Sequence, residues 1–306
     1  MSVTTTTLHT GQEQPFVKYG SRLMKTWPLL APTVGLLFVW MIVPLMLTLW
    51  FSFQRYDLLD PTVSGFAGLD NYRLLLEDPA LWTAIGNEIV MVGSVLIITV
   101  VFGTGFAILF DQAFFGRSVA RLLVIAPFFV MPTVSALIWK NLLMNPVSGV
   151  FAWLASVLGL SAIDWFSDLP MASVIIIVAW QWIPFATLIL LTAMQSLDRE
   201  QMEAARMDGA RGLQLLRFVI LPHLRRPISI LVMIETIFLL GVFAEIAITT
   251  NGGPGNATTT LTYLIYRIAL EAYDVGGAAA GGVLAVILAN IVAFFLIRTI
   301  AKNVHV

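Results

Sequence analysis

The 306-residue sequence contains no cysteine and few charged side chains. Without cysteine there is neither a disulfide framework nor a thiolate site for metal or redox chemistry. Charged residues make up 11% of the chain, well below the usual share in a soluble domain, whereas hydrophobic residues make up 58%. The three histidines all lie outside the long apolar stretches, so a buried histidine cluster is not expected. This composition excludes a soluble globular protein and indicates a chain that largely spans a membrane.

Six apolar stretches have the length needed to cross a bilayer, about 20 residues each. None has the alternating pattern of a barrel strand, so each is predicted to be a helix. The predicted fold class is therefore all-α, a polytopic membrane protein with six transmembrane helices and a polar, disordered cytoplasmic tail over residues 1–26. The predicted spans run approximately over residues 27–53, 84–110, 119–144, 171–194, 228–249 and 278–300.

Basic residues are distributed unevenly among the segments between these spans. Thirteen of the seventeen lie in the tail, the second loop, the fourth loop and the C-terminal end. Loops rich in lysine and arginine remain in the cytoplasm. The chain is therefore predicted to be a multi-pass membrane protein with both termini in the cytoplasm, and the fourth loop is predicted to lie on the same side.

The fourth loop, residues 196–227, is polar and has the pattern of two short helices joined by a turn. Asp198 is expected to cap the first helix by accepting the backbone N–H of Gln201. Gly209 lies where this helix would end in a left-handed conformation, and Pro222 is expected to interrupt the second helix. A folded polar segment between two spans is suited to contact a soluble partner.

This loop resembles the EAA loop of bacterial ABC importer permeases, through Glu-Ala-Ala at residues 203–205, the following Gly209, and Leu221-Pro222. The resemblance implies a cytoplasmic coupling helix that docks into a groove on a separate ATPase subunit. The alanines would allow close approach of two backbones, and the glutamate offers a charge to a basic partner. An ordinary amphipathic loop is the alternative. The residues implied in coupling are Glu203, Ala204, Ala205, Asp208, Gly209, Leu221 and Pro222.

The segment NGGPGNATTTLTYLIYRIAL, which begins at Asn251, resembles the first of the two permeases in maltose-type carbohydrate importers. Together with the EAA-like loop (residues 196–227), it implies an ABC importer type transmembrane domain over residues 27–306. The segments SGFAGLDNYRLLLEDPALWTAI and PFFVMPTVSALIWKNLLMNP resemble permeases assigned to sugar alcohols such as sorbitol and mannitol. The chain has no Walker A pattern, so it is not expected to be an enzyme, and ATP and Mg²⁺ are expected on the partner ATPases.

The resemblance also implies a bacterial inner-membrane assembly. Its expected members are this chain, a second and unlike permease, two ATPase subunits and an extracytoplasmic solute-binding protein, surrounded by membrane lipid. The assembly would import a small carbohydrate or polyol by alternating access, and no nucleic acid is expected. The outer loops would serve as spacers or would dock the solute-binding protein.

Isolated polar groups inside spans are costly, so each needs a reason. Glu235 and Glu245 in the fifth span share one face of an ideal helix with Phe238 and Val242. In the fourth span, aromatic rings beside an amide offer flat faces for sugar C–H groups and hydrogen bonds for hydroxyls. The resemblance implies a sugar site in these two spans. The predicted substrate-binding residues are Gln181, Trp182, Phe185, Glu235, Phe238 and Val242, with Met131, Pro132 and Ser135 of the third span as further candidates.

Two other interpretations of these residues remain open from the sequence. The aromatic residues would also suit packing between two permeases. Glu235 and Glu245 would suit a proton relay in an ion-coupled secondary transporter. A membrane enzyme is not favoured, because no paired acid–base or metal constellation appears in the sequence.

Overall fold

The computed structural model describes residues 20–60, 62 and 64–304. Residues 1–19 of the predicted tail lie outside this part of the chain. The remainder of that tail is helical, because the first helix begins at Gly20, ahead of the expected start at residue 27. The described chain is helical apart from loops and one short hairpin, as the sequence predicts.

The helices in chain order are α1 (Gly20–Ser52), α2 (Asp70–Glu77), α3 (Pro79–Asp111), α4 (Arg117–Ile125), α5 (Pro132–Leu137), α6 (Val150–Val157), α7 (Trp165–Asp168), α8 (Pro170–Gln195), α9 (Arg199–Met207), α10 (Leu213–Leu215), α11 (Leu221–Leu239), α12 (Ala244–Thr249), α13 (Leu261–Tyr266) and α14 (Val275–Val304). A 3₁₀ turn extends α4 over Ala126–Phe129, and π-type turns cover Ile138–Leu143, Leu216–Ile220 and Arg267–Glu271. Strands β1 (Gln54–Arg55) and β2 (Gly65–Phe66) pair antiparallel, with Gln54 opposite Phe66.

The chain forms two compact units, residues 1–47 and residues 48–306. In the first unit, the α1 side chains from Leu30 onward are apolar and almost all exposed. An apolar helix with an exposed surface suits lipid as its surroundings.

The second unit is built around α3 and α8, which pack against each other over much of their length. At their closest approach, a Cβ added to Gly103 would lie 2.6 Å from the Cβ of Ala186. No side chain fits at that distance, so glycine is what allows the two backbones to meet here. Buried apolar clusters on both sides of this pair join it to α11, α12 and α13.

Four helical segments of the described chain are long and apolar enough to cross a membrane: Leu30–Ser52, Pro79–Asp111, Pro170–Gln195 and Val275–Arg298. The pair Arg117–Phe129 and Pro132–Leu143 makes a fifth if it is counted as one span bent by 104°. These five correspond to five of the predicted spans. The predicted count of six is not confirmed.

The remaining predicted span, residues 228–249, is not one continuous helix. Helix α11 ends at Leu239 and α12 begins at Ala244, with Gly241 in the intervening break. The Thr262 hydroxyl donates to the freed carbonyl of Leu240 at 2.9 Å, and Lys140 donates to the Ile248 carbonyl at 2.6 Å. Away from water, an interrupted helix persists only where other groups satisfy its backbone, and here side chains from other segments do so.

In the EAA-like loop, the structure follows the sequence prediction through Gly209 and then departs from it. Asp198 caps α9 by accepting the N–H of Glu200, one residue before the expected donor. Gly209 adopts the expected left-handed conformation, with φ of +86°. The prediction that Pro222 interrupts a second short helix is wrong, because α11 runs through it. Before Pro222 the helix makes a π-type turn, in which the N–H of Leu221 donates to the carbonyl of Leu216, five residues earlier. The α-helical pattern restarts at this point, so the N–H that Pro222 lacks is not needed there.

Candidate functional site

A cleft of about 600 Å³ lies where α8 faces two interrupted helices. We call it the aromatic cleft. Its lining comes from residues 128–132 at the bend between α4 and α5, from Gln181 and Trp182 on α8, and from Phe238 with residues 241–245 at the break between α11 and α12. The volume is within the usual range for a site that binds a small molecule.

The bend between α4 and α5 arises from two prolines. Pro127 and Pro132 lack the N–H that a continuous helix needs, and the chain at Val130 and Met131 is extended. The Gln181 side chain donates from Nε2 to the Val130 carbonyl at 2.7 Å, which satisfies a backbone group freed by the bend. Its Oε1 atom is buried and has no partner within the described chain. Gln181 is thereby fixed in place at the bend.

Trp182 lies at the centre of an aromatic cluster at the cleft. Its ring centroid is 5.5 Å from that of Phe238, 5.7 Å from that of Phe185 and 6.1 Å from that of Phe128. Phe128 and Phe185 stack with centroids 5.6 Å apart. The predicted residues Trp182, Phe238 and Val242 all line the cleft, whereas Phe185 supports it from behind. Flat rings of this kind suit the C–H faces of a polyhydroxyl solute.

The two carboxylates of the predicted fifth span do not share a face. Glu245 lines the aromatic cleft, but Glu235 does not. Glu235 is fully buried, and its Oε2 accepts from the Thr99 hydroxyl of α3 at 2.6 Å. Phe238, on the same helix as Glu235, does line the cleft, so the two positions separate within α11, before the break. The placement of Glu235 at a substrate surface is therefore wrong for this structure.

The further candidates from the third span divide in the same way. Met131 and Pro132 line the cleft, whereas Ser135 is buried beside it and is not part of the lining. The lining residues that sequence reasoning missed are Phe128, Phe129, Val130, Gly241, Phe243 and Ala244. The two prolines inside one predicted span and Gly241 inside another were the available signals for the two interruptions.

The EAA-like loop presents most of its predicted coupling residues on the surface. Ala205 is half-buried, and the other six, namely Glu203, Ala204, Asp208, Gly209, Leu221 and Pro222, are exposed. Met202 packs against the core formed by α3, α8 and α11, which anchors α9 to the spans. Glu203 and Arg206 line a polar cleft of about 510 Å³ between α9 and the adjacent ends of α3 and α8. Within the described residues Glu203 has no ion-pair partner, so its charge is free to pair with another protein.

Three large apolar side chains in the same loop are left uncovered. Met207 is 88% exposed, Leu213 is 76% exposed and Phe218 is 70% exposed. They lie around Gly209 and the start of α10, outside the long apolar helices. Exposed apolar groups beside an unpaired charge are typical of a protein–protein contact surface.

Helices that are interrupted around a cleft, together with a short exposed helix between two spans, define a polytopic membrane transport permease. The chain belongs to the family described as binding-protein-dependent transport system inner membrane component, whose family model matches residues 113–306. It is accordingly the transmembrane permease component of an ABC importer, and the ATPase is a separate subunit.

Similar proteins agree with this assignment. The probable ABC transporter permease protein y4oQ of Sinorhizobium fredii is 36% identical over 247 residues, which cover 80% of each chain. The trehalose/maltose transport system permease protein MalF of Thermococcus litoralis is 30% identical over 271 residues, 88% of this chain and 90% of that one. A solved bacterial ABC transporter involved in the import of the acidic polysaccharide alginate shares the fold, with a TM-score of 0.77 at 21% identity over 92% of this chain and 98% of that one.

Proposed function

We propose that this permease moves a small carbohydrate or sugar alcohol through the aromatic cleft by alternating access. The observation that carries the proposal is the cleft itself, in which Trp182 and Phe238 stand beside the unpartnered oxygen of Gln181. Aromatic faces and hydrogen-bond acceptors are the groups that a polyhydroxyl solute requires. The permease makes no covalent change in its substrate.

The two helix interruptions support this location. Non-helical backbone at membrane depth is tolerated where it is buried in protein or lines a water-filled cavity. Both interruptions, at residues 128–132 and at residues 241–245, face the same cleft. Val130 and Met131 are extended rather than helical, so they place backbone groups at the wall of the cleft.

The EAA-like loop couples ATP hydrolysis on the partner ATPase to transport. The unpaired charge of Glu203 and the exposed apolar groups beside it supply a surface for an ATPase subunit, which carries ATP and Mg²⁺. When two ATPases close on ATP, the coupling helices are drawn together and the spans move between inward-facing and outward-facing arrangements. The basic residues of the loop favour a cytoplasmic location for it, together with both termini.

The family description and the sequence resemblance support two further partners. A solute-binding protein delivers the substrate on the outer side, as the family description implies. The resemblance to the first of two unlike permeases favours a heterodimer, with the second permease forming the opposite wall of the pathway. An ion-coupled mechanism through Glu235 and Glu245 is not favoured, because Glu235 is bonded to Thr99 and does not line the cleft with Glu245.

Uptake into proteoliposomes tests the proposed function. The permease is purified with its neighbouring transport subunits, and uptake of a panel of labelled sugars and polyols is followed with ATP enclosed in the vesicles. We expect one or more of these solutes to accumulate with ATP and to stop accumulating when the partner ATPase is inactivated. Accumulation that persists with the inactive ATPase and collapses with a proton ionophore would instead support the ion-coupled alternative.

A further inference from the structure

The aromatic cleft is lined by an acidic side chain but by no basic one. Glu245 is the one charged side chain among the lining residues, and it is only 4% exposed. Gln181 also lines the cleft, with its Nε2 bonded to the Val130 carbonyl and its buried Oε1 without a partner in the described chain. The indole N–H of Trp182 is a neutral donor. Among its lining side chains the cleft therefore has an acidic acceptor in Glu245 and a neutral donor in Trp182, but no cation.

No basic group in the described part of the chain neutralises Glu245. None lies within 4.0 Å of its carboxylate. Lys140 belongs to the segment that packs against α12, but its ammonium group donates to the Ile248 carbonyl at the far end of that helix. Thr249 donates its hydroxyl to the backbone carbonyl of Glu245 and not to the carboxylate. In the described part of the chain, the acidic side chain that lines the cleft therefore has no basic side chain beside it.

We propose that Glu245 is a specificity-determining residue that makes the aromatic cleft a charge filter, which accepts neutral polyols and amino polyols and rejects sugar acids. This inference rests on the proposed function and goes beyond it by assigning the charge class of the substrate. A hydroxyl can donate to Glu245 and accept from the indole N–H of Trp182, so a neutral polyol satisfies both groups. An anionic group meets a like charge in a poorly solvated site with no cation to compensate.

Three matched solutes separate charge from shape. Sorbitol, gluconate and glucamine have the same carbon skeleton and the same hydroxyl configuration, and they differ in one terminal group, which is a neutral alcohol, a carboxylate or an ammonium. The solute-binding protein has a selectivity of its own, so binding is measured directly to the purified permease complex without it. Binding is followed by the change in tryptophan fluorescence that the solute causes. The part of this change that is absent from the Trp182→Phe complex is assigned to Trp182.

In the wild-type complex we expect gluconate to bind about 10- to 100-fold more weakly than sorbitol, and glucamine to bind at least as tightly as sorbitol. Glu245→Gln keeps the shape and removes the charge, so it should bring gluconate binding to within about threefold of sorbitol binding. Glu245→Asp keeps the charge and should keep most of the discrimination. Glu235→Gln is the matched control, because that carboxyl is buried outside the cleft and its loss should not alter the ratio.

The outcomes separate two claims, namely that Glu245 discriminates by charge and that the aromatic cleft binds the solute. Equal binding of sorbitol and gluconate in the wild type, or an unchanged ratio in Glu245→Gln, would overturn the filter while leaving the cleft as the site. The absence of a Trp182-dependent signal with all three solutes would overturn the cleft as a polyol site, and the filter with it.

Discussion

Reversal of one charge, Glu203→Lys, is expected to reduce ATP-driven uptake about 30-fold or more while the protein remains folded in the membrane. Glu203 is exposed on α9 and has no ion-pair partner in the described chain, so the substitution disturbs no internal contact. In the complex, a lysine would place a positive charge against the basic groove proposed for the ATPase. Losing one member of such a buried pair costs about 2–5 kcal/mol, and repulsion adds to that.

Gly209→Val is expected to have the same effect by another route. Gly209 has φ of +86°, a conformation that a β-branched residue adopts only with strain, although there is open space around it. The turn after α9 would then shift, and the docking surface would shift with it. Gly159→Val is the matched control, because Gly159 also has a positive φ and open space but lies outside the EAA-like loop.

Uptake, ATPase stimulation and recovery of the intact complex are measured together for these variants. Glu77→Lys serves as the charge-reversal control, since Glu77 forms only an exposed ion pair with Arg73 on α2, and such pairs contribute little. Normal uptake by both Glu203→Lys and Gly209→Val would show that the EAA-like loop is not the coupling element.

Trp182→Ala is expected to reduce uptake about tenfold or more without loss of assembly. Its ring contacts Phe128, Phe185 and Phe238, and it forms the centre of the aromatic surface of the cleft. Removing it takes away the flat face on which a sugar would rest, a loss of about 1.5–3 kcal/mol for a large apolar contact. Trp182→Phe retains a ring and should lose less.

The measurement is the initial rate of uptake at several solute concentrations, together with the yield of the complex. Trp153→Ala is the matched control, because Trp153 lies on α6, is 63% exposed and is not part of the cleft. Wild-type uptake by Trp182→Ala would remove the aromatic cleft from the pathway. It would leave the coupling assignment untouched.

The sequence predicts those parts of the structure that depend on local pattern. Apolar length and composition identify the helical membrane class, and the capping residue Asp198 with Gly209 defines the ends of α9. These features depend on interactions within a few residues of the chain, which a sequence displays directly.

The parts that the sequence predicts poorly depend on where a helix stops. The stripe from Glu235 to Glu245 assumes a continuous helix, and the break around Gly241 removes that assumption. Pro222 is a residue that usually ends a helix, but here the helix continues, because the π-type turn before it removes the need for a backbone N–H at this position. The position of Gln181 depends on its bond to Val130, 51 residues away, which no local pattern contains. The substrate cleft is built from such long-range contacts and is therefore only partly visible in the sequence.

The most direct test of the coupling claim is site-specific cross-linking, which the absence of native cysteine makes possible. A single cysteine replaces Met207, which is 88% exposed at the end of α9, and carries a photoreactive maleimide in the assembled complex. A second variant of the permease carries its single cysteine in place of Val147. This residue is 91% exposed and lies in the loop after the third predicted span, which is proposed to lie outside the cell. We expect the probe at Met207→Cys to cross-link to the ATPase subunit and the probe at Val147→Cys not to do so. Cross-linking of the ATPase from Val147→Cys but not from Met207→Cys would contradict both the coupling surface and the orientation of the chain.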